Sequence, residues 1–241
     1  STDDAIELSA SEGIIVNAHV STDGHNISLT AGTAIELTNN GSLDTGSGEA
    51  HVALVANSGG ILMGPSSFID GADGAVSLAA TGEIALSKIF STGDVFVTTS
   101  GGSIQAADNV TGTNHVDGKT VALSSAGGVG VENRPLLVKI NTPGNGGELD
   151  AIAVAGIDIE VAPGGLSFGE VRSSGGDIRI LARGTDETLI PSASIIEAPS
   201  GNVTLTLGGS LHLQPTGTII AAGEIEIIGD SLVADVTAAD Q

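Results

Sequence analysis

GAVSLAATGEIALSKIFSTGDV, residues 74–95, contains one complete structural unit of this chain. Val76 and Leu78 alternate with small residues, a Thr–Gly turn follows, and Ile84 and Leu86 alternate again. Ile89 adds a third apolar touch before the Gly93–Asp94 corner, and Val95 begins the pattern anew. Alternation with a period of two turns one side of a short strand toward a core. Gly, Asn and Asp supply the positive-φ corners between strands. One such unit cannot bury its aliphatic face, whereas a stack can, with Ile on Ile and Leu on Leu.

The unit recurs along the chain as AIEL (5–8), NISL (26–29), HVAL (51–54), DVFV (94–97), TVAL (120–123), GIDI (156–159), DIRI (177–180), NVTL (202–205) and EIEI (224–227). Ile6, Ile27, Val52, Val76 and Val95 are 21, 25, 24 and 19 residues apart, and Val121 follows after 26. Ile157, Ile178, Val203 and Ile225 are then spaced by 21, 25 and 22. Helix is disfavoured because Gly or a β-branched residue interrupts every window long enough to hold one. The expected fold is all-β: a single right-handed parallel β-helix of about 10–11 coils, one domain over residues 1–241, and a rod roughly 50 Å long. Two stretches depart from the pattern and are expected to leave the rod as loops. They are NTPGNGGE at 141–148 and GTDETLIPSA at 184–193.

Composition narrows the function. Acids outnumber Lys and Arg by 29 to 7, for a formal charge of −22, so a phosphate backbone would be repelled. The 36 Gly, 4 Phe and absence of Trp, Tyr and Cys leave an aliphatic core without disulfides, thiol chemistry or iron–sulfur sites. No apolar run approaches the ~18 residues of a membrane-spanning helix. The first residues, STDDAIEL, lack the character of an export signal, so an exported form is expected to have lost one.

Units such as GNVTLTLGGSLHL (201–213), and the segment VALSSAGGVGVENRPLLVKI (121–140) with its Gly-rich turn and Pro–Leu pair, resemble repeats of secreted exoproteins of the filamentous haemagglutinin type. The resemblance covers most of the chain. It implies a Gram-negative cell-surface or secreted β-helix that serves in adhesion or as a fibrous stalk. Extracellular location, a host or surface glycan as partner, and adjoining coils of a longer exoprotein are expectations of that resemblance.

No catalytic constellation is assembled by the motifs. GKT at 118–120 ends like a phosphate loop, but the preceding Gly spacing is wrong and a strand follows it. The chain is therefore read as non-enzymatic, with a polysaccharide-binding or polysaccharide-cleaving β-helix as the alternative. For that alternative Arg172, Asp177 and Arg179 are the ligand candidates, Arg179 gripping an acidic sugar. Asp44, Glu49, Asp70 and Asp73 offer hard oxygen donors in Gly turns, as Ca²⁺ prefers, without matching a known calcium-loop spacing. No other cofactor is expected. Repeats run close to both ends of the sequence, with no room for a capping helix. End-to-end stacking of copies is expected, Ile6, Leu8 and Ile14 of one rod meeting Ile225, Ile227 and Val233 of the next.

Overall fold

A computed structural model describes residues 5–107, 115–132, 134–141, 147–184 and 186–234. Parallel strands of three to eight residues stack into a β-solenoid of about nine turns, with no helix among the described residues. The first face is the clearest. An inward-facing file runs unbroken through register-matched partners from Leu8 through Leu29, Leu54, Leu78, Val97, Leu123, Ala151, Val171 and Ile196 to Ile219. Those ten residues make nine steps of about 23 residues each, so the rod is roughly 43 Å long at the usual strand spacing.

Ten stacked levels joined by nine turns meet the lower bound of the 10–11 coils expected, but the faces do not follow one another as the spacing suggests. Ile157, Ile178, Val203 and Ile225 do not continue the file of Ile6 and Val121. They belong to the second face, in register with Ile14, Ile35, Ile61, Ile84, Ile104 and Val129. The first face is instead continued by Leu149–Ala153, paired residue for residue with Val121–Ser125. Both faces carry the same aliphatic tetrads, so spacing alone does not separate them.

The cross-section is remodelled in mid-rod. In the early coils the second and third faces are distinct short strands, as in Ile84–Leu86 and Lys88–Phe90, separated by the buried corner residue Ser87. The third-face file Val20, Leu43, Ile69, Ile89, Val116 and Val138 then runs into Val161. Val161 shares the strand Ile157–Val161 with the second-face residue Ile157, so two faces have become one. A new third face opens at Leu166 and continues through Thr188, Leu211 and Leu232.

The strand Leu166–Ser173 serves both that new face and the first one. It holds a bulge, with an extra residue between Phe168 and Val171 opposite Asp150, where the Glu170 N–H donates to Asp150 Oδ1 at 2.6 Å. Phe168 is fully buried at this junction, whereas Phe90 and Phe96 stand on the outside of the rod. Phe68, Phe90, Phe96 and Phe168 each fit a core position by sequence at least as well as a sugar-stacking one. The alternation Val95-in, Phe96-out, Val97-in shows why the core position fails for Phe96.

Inward residues between the ends are sealed, and each Leu or Ile buried in this way contributes roughly 1.5–3 kcal/mol. The corners have a second device. A side-chain acceptor just before a strand takes the backbone N–H of the matching residue one coil later. Asn26 Oδ1 accepts from His51 N at 2.8 Å, His51 Nδ1 from Ala75 N at 3.0 Å, Asp94 Oδ1 from Thr120 N at 3.2 Å and His115 Nδ1 from Leu137 N at 3.0 Å. Asp177 Oδ1 accepts from Asn202 N at 2.8 Å, and Asn202 Oδ1 from Glu224 N at 2.7 Å. These bonds satisfy N–H groups that would otherwise be orphaned where the strand ladder bends.

Of the expected loops, residues 142–146 lie outside the described residues. The stretch 184–193 does not leave the rod along its whole length. Within it Thr188–Ile190 is a strand, paired with Leu166–Ser173 on one side and Leu211–Leu213 on the other, with Thr188 and Ile190 facing in. Its Thr–Leu–Ile alternation holds it in the wall.

Candidate functional site

The remodelled stretch creates a concave part of the surface. Between Val129 on the second face and Leu136 on the third, the chain leaves the wall as a small hairpin, of which residues 130–132 and 134–135 are described. Arg134 N donates to Val131 O at 2.8 Å, and Val131 N donates back to Arg134 O at 3.3 Å. The hairpin is anchored by Gly130 N on Ile104 O at 2.8 Å and by Arg134 Nη2 on Gln105 Oε1 at 3.3 Å. Gly130 has φ +68°, and a Cβ there would collide with the carbonyl oxygen of Asp158, so only glycine fits the exit from the wall.

Under the hairpin, alternation in Ile157–Val161 turns Asp158 and Glu160 outward, and in Ile178–Ala182 it turns Arg179 outward beside Asp158. Arg179 Nη1 lies 3.5 Å from Glu132 Oε1 on the hairpin and 3.9 Å from Asp158 Oδ2 on the wall. The Glu132 side chain is 78% exposed and that of Asp158 only 15%. Burial pushes the Asp158 carboxyl above its ordinary value; Arg179 works against that shift, while Glu132 and Glu160 add to it. Two hollows, of about 430 Å³ and about 340 Å³, meet at Asp158 and Arg179, and Asp177 lines the larger.

Of the three ligand candidates, the structure thus brings Asp177 and Arg179 to one cleft. Arg172 is elsewhere, outward on the first face, with Nε 2.8 Å from Glu197 Oε2 and 3.4 Å from Glu170 Oε1 in a surface ion cluster. Glu132 and Asp158 complete the cleft and were not anticipated. Alternation in IDIEV places Asp158 outward, but the hairpin that brings Glu132 over it has no periodic signature.

Three of the four calcium candidates have hydrogen-bonding partners. Asp44 Oδ1 accepts from Gly46 N at 2.7 Å, Asp70 Oδ1 from Ala72 N at 2.9 Å, and Asp73 Oδ1 from the Thr92 hydroxyl at 2.6 Å. Glu49 is exposed. No group of three or more His, Cys, Asp or Glu side chains converges as a metal cage among the described residues.

The end coils expose their aliphatic residues. Leu8 is 50% exposed although its partners along the file, Leu29 and Leu54, are at 1% and 0%. Ile225 is 45% and Leu232 59% exposed, against 0% for Val203 and Leu211 beneath them. Ile6, Ile14 and Ile227 are partly buried and pack against the core. Val233 departs from the expectation: it shares register with the outward His212, and Leu232 is the residue that faces inward. No family model, curated protein or solved structure matches the chain significantly.

Proposed function

We propose that this chain is a non-enzymatic, extracellular structural solenoid, a rod of a surface fibre or adhesin whose end coils stack on further coils, either copies of itself or adjoining coils of a longer exoprotein. The observation that carries the reading is the exposure of inward-facing Leu8, Ile225 and Leu232 at the two ends of files that are sealed everywhere between. Parallel strands present their unpaired hydrogen-bonding groups at opposite ends, so the contact is head to tail and propagates instead of closing. The likeness of its repeats to haemagglutinin-type exoproteins supports the extracellular setting.

Negative-stain electron microscopy at neutral pH, with and without millimolar Ca²⁺, tests the assembly. Filaments one rod wide are expected, more abundant with Ca²⁺ because the charge of −22 is screened. Leu8→Asp and Leu232→Asp should each leave short rods. Isolated short rods from the unmodified chain at high concentration, in salt and Ca²⁺, would refute self-assembly.

A further inference from the structure

The cleft under Gly130, Val131 and Glu132 is independent of the end coils. Its joined hollows fall in the size range of small-ligand pockets, roughly 300–1,000 Å³. Gly128, Gly156 and Gly176 line the larger hollow, and Thr204 and Thr206 line the smaller one. A lining of glycine and threonine suits a polyhydroxylated ring.

Charge selects among such rings. Glu132, Asp158 and Asp177 supply three carboxylates against the single guanidinium of Arg179. That guanidinium is already engaged by Glu132 and Asp158. An acidic sugar would have to displace both carboxylates and then face the third, which reverses the expectation that Arg179 grips an acidic ligand. A protonated amine meets the opposite field: it is drawn to the carboxylates, and Arg179 is its competitor.

We propose that the cleft binds a protonated amino sugar, as a unit of a cationic polysaccharide. The test is isothermal titration of the full chain, at low salt and mildly acid pH, with three tetrasaccharides. These are the deacetylated glucosamine tetramer, its N-acetylated counterpart and a galacturonic acid tetramer. The glucosamine tetramer should bind, the N-acetylated one more weakly, and the galacturonic acid tetramer not at all. Glu132→Gln, at an exposed side chain, should weaken glucosamine binding by about two- to fivefold, and Arg179→Gln should tighten it by a similar factor. Glu36→Gln, at an exposed acid several coils away, should leave it unchanged.

Absence of glucosamine binding overturns the proposal, as does equal affinity for the N-acetylated tetramer. Equal weakening by Glu36→Gln would reduce the effect to diffuse attraction by the whole rod. Galacturonate binding that is lost in Arg179→Gln would restore the acidic-sugar reading in its place.

Discussion

Gly130 shows how much of the site depends on one residue. It combines a left-handed backbone with a Cα that approaches the Asp158 carbonyl too closely for any side chain. Gly48 shares the left-handed backbone, at φ +81°, but has open space around it. Gly130→Ala should therefore destabilise the chain by about 1–3 kcal/mol, adding steric displacement to backbone strain, and Gly48→Ala by about 1 kcal/mol from strain alone. Urea unfolding midpoints of the two variants would check the order. Equal losses would mean that the wall relaxes away from the hairpin at little cost. The corner acceptors work at the same scale. His51 and His115 take backbone N–H groups on Nδ1.

The strand Leu166–Ser173 is the element on which the remodelling depends. Its first half supports the new third face and its second half continues the first face, with Phe168 buried between the two tasks. Phe168→Ala should cost about 3–5 kcal/mol, while Phe96→Ala, outside the wall, should change stability by less than about 1 kcal/mol. Chemical denaturation of the pair would check this contrast. Element by element, the fold was legible where alternation and Gly corners coincide, as in Val76–Ala80 and Ile84–Leu86. It was misread between Val121 and Ile157, where the Ala-rich LDAIA carries too little aliphatic bulk to announce a strand. Half of the cleft was legible, through Asp177 and Arg179. The other half depends on a hairpin that bends Glu132 back over the wall, and local sequence does not encode that contact.

Charge acts on the rod as a whole. With a formal charge of −22, the folded chain concentrates carboxylates that an unfolded chain would spread apart. Glu148 marks a local excess: burial, and then the neighbouring Asp150, push its carboxyl above its ordinary value of 4.5. A raised carboxyl binds its proton more tightly in the folded than in the unfolded state. Stability should therefore rise as pH falls from neutrality through that raised value toward 4.5, and decline again as pH climbs back. Thermal midpoints across this window should increase toward acid, and Glu148→Gln should flatten part of the slope. An unchanged slope in the variant would assign the whole effect to the general charge.

The corner acceptors also give the rod a direction in time. At six corners among the described residues Asn, Asp or His takes the N–H one coil on, and in each the acceptor belongs to the earlier coil and the donor to the later one. Among the described residues, the turn at Ser192 and Ala193 reverses the order, donating to Gln214 and Thr216. A chain emerging N-terminus first through a narrow exit thus finds a fixed acceptor waiting at five of the nine coil steps. Such a rod is laid down like courses of brick, each one the template for the next, and backsliding breaks bonds already made.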